Sequence, residues 1–124
     1  MPTEIRTIVV KKLAEQMYKA AQTGDYEKMV SLSYGKVVEQ LGGKSKFVEG
    51  LREASEYLKQ EGVEIIEVKI SDPKPFASTA DYKFVIVPTQ TTMNTGKVIL
   101  QIDGFLLGIS PDQGKTWKFI DGST

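Results

Sequence analysis

A chain of 124 residues with 16 Lys plus Arg against 16 Asp plus Glu fits one domain of zero formal charge, and 40% hydrophobic with 26% charged residues marks it as globular. Zero net charge argues against nucleic-acid or membrane-surface partners, which need clustered and unbalanced Lys and Arg. With no His and no Cys, histidine acid–base catalysis, Ser-His-Asp and Cys-His nucleophiles, Cys/His zinc sites and disulfides are excluded together, leaving carboxylates, Tyr, Lys, Arg, Ser and Thr.

In chain order, residues 4–22 carry apolar side chains at helical spacing, and the expected buried stripe is Ile5, Ile8, Val9, Leu13, Met17, Ala20 and Ala21. Gly24 is a helix stop and Asp25 an N-cap for a shorter helix through Tyr26, Met29, Val30 and Leu32. Residues 33–43 read equally as a short strand or a helical turn, ended by Gly42-Gly43. The helical period returns from Lys44 to Gln60 and closes at Gly62. Four strands are then expected at Val63–Ser71, Ala80–Pro88, Lys97–Ser110 and Thr116–Asp121, with turns at 93–96 and 111–114. Helices first and consecutive strands afterwards predict an α+β domain with a mostly antiparallel sheet.

The strand Lys97–Ser110 is apolar on both faces. Val98, Leu100, Ile102 and Leu106 stand on the even face, and Ile99, Gln101, Asp103, Phe105 and Leu107 on the odd one. A strand backed by water alternates apolar with polar, so each face needs a cover. The helices supply one. The odd face is therefore the expected homodimer surface, or else a strongly curled sheet covers its own back, or Phe105, Leu107 and Ile109 pack under the segment 72–79.

The corner Ala20-Ala21-Gln22-Thr23-Gly24-Asp25, the Gly42-Gly43-Lys44 that opens a later helix, and the series of long strands ending in a tight hairpin resemble the nuclear transport factor 2-like superfamily, over essentially the whole chain. That family includes ketosteroid isomerases and SnoaL-like cyclases. The resemblance implies a cone: a curved antiparallel sheet packed against three N-terminal helices, with a pocket at the open end and dimerisation through the outer sheet face. It also implies positions for the isomerase groups, a carboxylate base beside an oxyanion hole of Tyr and protonated Asp. The Tyr position, seven residues before Gly24, is Met17; the Asp position, eight before Gly114, is Leu106; the base position is at or near Leu41, with Glu39 the nearest carboxylate. Tyr18, one step and about 100° round the helix from Met17, is expected to face elsewhere.

Two further patterns stand out. Ser110-Pro111-Asp112-Gln113-Gly114-Lys115-Thr116-Trp117 matches the Asp-box pattern, read as a hairpin-folding device with a lesser alternative of carbohydrate stacking on Trp117. Asp103 interrupts an apolar strand and is either a general base or a polar contact across the dimer face. The leading expectation is a non-catalytic domain for small hydrophobic ligand binding or dimeric assembly, its pocket lined by Met17, Tyr18, Tyr34, Tyr57, Val98, Leu100, Ile102 and Leu106. The alternative is an isomerase, dehydratase or cyclase that uses Asp103 or Glu39 as base and Tyr18 or Tyr34 as acid. An acidic side chain and a phenol aimed together into one hollow would favour the alternative. No cofactor, metal, nucleic acid or membrane partner is expected; a cytoplasmic location is the default in the absence of a visible signal segment, and a trimmed mature secreted form is the alternative, since the lack of Cys is compatible with either compartment.

Overall fold

In the computed structural model, which describes the backbone of residues 3–123 and the side chains of 7–122, the first helical period becomes α1 (Thr3–Thr23). Its buried stripe is Val10, Ala14, Met17 and Ala20. This corrects the expected one: Ile8 and Val9 are exposed, Leu13 and Ala21 are half-buried, and the Ile5 side chain lies outside the described residues. Ile8-Val9-Val10 offers three adjacent apolar faces, and packing selects Val10 because it stands one turn from Ala14, small enough for close approach to the sheet. The rotation also carries Tyr18, one turn after Ala14, onto the flank of the stripe.

Gly24, in the left-handed region at φ 77°, ends α1. The Asp25 carboxylate then accepts the Lys28 N–H at 3.2 Å and caps α2 (Tyr26–Leu32). The ambiguous segment resolves as a helix, α3 (Gly35–Gln40), after an isolated parallel bridge between Ser33 and Phe119. Gly42 and Gly43 turn the chain into α4 (Lys44–Gln60), and Gly62 turns it out again, all three at positive φ. The helices thus number four rather than three. None of the α4 side chains is fully buried; the helix packs chiefly on α2 and α3 and holds Phe47, Val48, Leu51 and Leu58 half-covered.

The remaining strands are β1 (Glu64–Ile70), β2 (Ala77–Ser78), β3 (Lys83–Asn94), β4 (Ile99–Ser110) and β5 (Lys118–Ser123), forming an antiparallel sheet in the order β1-β3-β4-β5 with β2 beside β3. The fold is therefore α+β, four helices with an open five-stranded sheet. β3 runs straight through Pro88, where the sequence suggested an end. The Pro88 carbonyl accepts the Ser71 N–H at 2.9 Å, just where β1 gives way to the loop, so the missing N–H of Pro88 falls on the side where the ladder is already ending.

Continuous register between β3 and β4 makes the inner face a set of cross-strand rows. Val85, Gly108 and Phe119 form one row, and Val87, Leu106 and Asp121 the next. Then come Ile70, Thr89 and Gly104; Val68, Thr91 and Ile102; and Ile65, Met93 and Leu100. The first rows pack with Val10, Ala14, Met17, Leu32 and Trp117 as the core. Gly108 has to be glycine, because a Cβ there would stand 2.8 Å from Val85 Cγ1. Between β4 and β5, the Ser110 Oγ donates to Asp112 at 2.8 Å and accepts the Gly114 N–H at 2.8 Å, while the Asp112 carboxylate accepts the Thr116 N–H and hydroxyl. Trp117 is 2% exposed and packs against Phe76 at 5.5 Å between ring centroids, so it has no face to offer a sugar. Among the described residues no helix is long and apolar enough to cross a membrane.

Candidate functional site

The core stops at the Val87–Leu106 row, and beyond it the inner face borders a cavity of about 730 Å³. The size is within the range that holds a small organic ligand. β1, β3 and β4 supply Ile65, Val68, Thr89, Thr91, Met93 and Ile102 from one side. Tyr18, Ala21 and Gln22 of α1, with Ser55, Leu58 and Lys59 of α4, supply others. Tyr18, Gln22 and Val68 also border a smaller groove with Glu15, Lys19 and Ile70, so this wall is one side chain thick and open to water behind.

Lys59 and Glu64 border the cavity on its α4 and β1 sides, and a hydrogen-bonded polar pair stands at the end nearest the core. The Tyr18 hydroxyl donates to Asp121 Oδ1 at 3.4 Å, linking the middle of α1 to the last strand. Burial, reinforced by the neighbouring Asp121 charge, pushes the Tyr18 phenol up to about 12, while the Thr89 hydroxyl acts in the opposite direction. Tyr18 is thus a neutral donor at physiological pH. Asp121 remains accessible to solvent as a residue, yet partial desolvation of its carboxyl raises it above the ordinary carboxylate range, against the lowering effect of the Tyr18 and Gly122 hydrogen bonds. A carboxyl shifted toward neutrality beside a fixed phenol, in a largely apolar hollow, is an arrangement suited to proton transfer.

Of the expected lining residues, the structure brings Tyr18 and Ile102 to the cavity. Met17 and Leu106 lie sealed in the core instead, because the rotated stripe and the Val87–Leu106 row bury them. Tyr34 is half-buried at the start of α3, its N–H donating to the Phe119 carbonyl. Tyr57 is 61% exposed on α4, Val98 stands at the exposed hairpin end, and Leu100 extends the inner face beyond the cavity wall. The expectation that Tyr18 faces elsewhere is corrected by the α1 rotation. Glu39 and Leu41 are exposed around the α3–α4 turn and do not border the cavity.

Asp103 follows strand alternation. Ile102, Asp103 and Gly104 all border the cavity, but register pairs Asp103 with Gln90, and the Gln90 side chain donates to its carboxylate at 3.3 Å on the outer face. Asp103 therefore stands with Ile99, Gln101, Phe105 and Leu107 on the odd face, which removes it as the base of this cavity. Two other carboxylates border the cavity, Glu64 at the start of β1 and Asp121, which is hydrogen-bonded to Tyr18 and in the sequence looks like a turn residue. The signal for it is the alternation Trp117-x-Phe119-x-Asp121, which places it on the face of two buried aromatics. Compared with known proteins, the chain matches no family model and no curated protein sequence.

Proposed function

We propose that the cavity is an acid–base site for a small, largely apolar carbonyl compound, with Asp121 as proton acceptor and Tyr18 as hydrogen-bond donor to the carbonyl oxygen. The observation that carries this reading is the Tyr18–Asp121 hydrogen bond at the end of the cavity nearest the core, in a hollow whose lining is largely apolar. A bound carbonyl replaces Asp121 as acceptor of the Tyr18 O–H. The freed carboxylate takes a proton from the adjacent carbon, the electron pair moves onto oxygen as an enolate held by Tyr18, and Asp121 returns the proton to carbon. No co-reactant is needed. The reaction class is isomerisation, or the enolisation step of a dehydratase or cyclase. Sequence likeness to the nuclear transport factor 2-like superfamily and the helix-then-sheet order support a cone-shaped enclosure of this kind.

The test is exchange of α-protons for deuterium in D2O, followed by proton NMR on simple cyclic and open-chain ketones. Wild-type protein should accelerate exchange; Asp121→Asn should lose about 10²-fold or more, and Tyr18→Phe a comparable factor. Equal rates with all three proteins would overturn the reading and leave a binding cavity without chemistry.

A second reading concerns assembly. The outer sheet face exposes Ile86 at 42% and Ile99 at 65%, with Phe84, Phe105, Leu107 and Ile120 half-buried beside them. The segment 71–78 runs along the edge of β3, and Phe76 turns to Trp117, so it does not cover this face. These features support a homodimer through the outer face.

A further inference from the structure

The sheet wall of the cavity is long, and Leu100 carries it one residue further. From the Thr89–Gly104 row, the inner face continues outward through Val68, Thr91 and Ile102 to Ile65, Met93 and Leu100. That distance along β3 and β4 is four residues, roughly 14 Å at about 3.4 Å per residue. Ile65 is 41% exposed, Ile102 41% and Leu100 43%, although all three stand on the face that is buried further along the same strands. All of this strip but Leu100 lines the cavity, Leu100 extends it, and Thr91 is the one polar residue of these two rows. On the inner sheet face the other end is the polar one, with Thr89 and Asp121 there beside Tyr18, while the further polar lining groups, Gln22, Ser55, Lys59 and Glu64, come from the helices and the start of β1.

We propose that the ligand is an elongated amphiphile that enters head first, its oxygenated carbon at Tyr18 and Asp121 and its unbranched aliphatic tail laid along Ile102 and Leu100 toward the β3–β4 hairpin. A compact ligand would satisfy the polar end and leave the strip in water, where exposed apolar surface is unfavourable. A tail of methylenes covers the strip without asking for any polar partner, which the strip does not offer. The occupant is thus set by two features together: one polar pole, and an apolar track leading away from it in line with the strands. The head-first orientation rests on the acid–base reading of the Tyr18–Asp121 pair; the tail-binding track does not.

The test uses straight-chain 2-alkanones from about six to about fourteen carbons, with affinity measured by calorimetry below each compound's solubility limit. Affinity should rise about threefold to fourfold per methylene, as burial of each group predicts, and level off once the tail passes Leu100. Leu100→Asn, at an exposed position beyond the cavity wall, should bind the shortest ketone as wild type does and flatten the gain for the longer ones, and Ile102→Asn, in the wall itself, should weaken every length and the longest most. Circular dichroism and Tm confirm that each variant is folded. Affinity independent of length, or an equal loss for short and long ketones in the variants, would overturn the proposal. So would a change from dimer to monomer in Leu100→Asn, which assigns the strip to a second copy of the chain. If length dependence holds while α-proton exchange is absent, the track stands and the catalytic reading falls; if exchange occurs without length dependence, the catalytic reading stands and the track falls.

Discussion

The surroundings of Asp121 disfavour its charged form, because partial burial has raised its carboxyl above 3.8. For a group whose folded value is raised, the stabilising contribution is present below the unfolded value and is lost as pH rises through the folded one. Asp121 therefore costs stability at pH 7. Replacing it by Asn removes the charge and retains an oxygen to accept the Tyr18 hydrogen bond. Asp121→Asn should melt at a higher temperature than wild type at pH 7, with the difference closing below about pH 4, where the carboxyl is neutral in both states. Thermal denaturation across that range checks it, and a lower Tm for the variant at pH 7 would contradict the assignment. Tyr18 has the same sign at the other extreme: its contribution is complete below 10.0 and disappears as pH rises through about 12. Asp121 reads in the sequence as a turn residue, although its alternation with Phe119 on β5 and with Trp117 just before it carries the signal. Tyr18 is among the expected lining residues, but the direction it faces was not legible. Which of three consecutive apolar residues faces inward depends on the sheet it meets, and a rotation of one residue exchanges Met17 for Tyr18 at the cavity.

Among the elements, the β4–β5 hairpin is the one most fully written in its own residues. Ser110, Asp112, Gly114, Thr116 and Trp117 each do there what their chemistry suggests, because the hydrogen bonds involved span only two to four positions. The Thr116 hydroxyl and N–H hold Asp112 down at about 2, below its ordinary 3.8. A depressed carboxyl stabilises above its unfolded value and loses that contribution as pH falls through its folded one. The hairpin should therefore loosen between about pH 4 and about pH 2, seen by NMR as loss of the Thr116 amide's protection from exchange. Asp112→Asn should show that weakened protection already at pH 7. β3 is the opposite case. Pro88 reads locally as a breaker, and its tolerance depends on where another strand, β1, happens to end. The ambiguous 33–43 segment likewise became α3 in company with Phe119 of β5, a residue far away in sequence.

For the whole molecule, the order of helices and strands was readable because hydrophobic period is a local property, whereas most of the side chains that line the enclosure between them were not, because that depends on how the helices lean. The outer face makes the clearest molecular prediction. If it joins two copies, sedimentation velocity will show a dimer, and Leu107→Lys, which sets a charge in the apolar face, will give a folded monomer. A wild-type chain that sediments as a monomer at its highest soluble concentration excludes that assembly.

α4, joined to its neighbours through glycines at both ends and nowhere fully buried, has a bearing on how the hollow fills. Its apolar residues are half in water, and Leu58 already faces the space a ligand takes. The guest is then part of the packing that this helix lacks. Occupancy and the tightness of that wall rise together, and a vacant protein keeps the wall as its least anchored part.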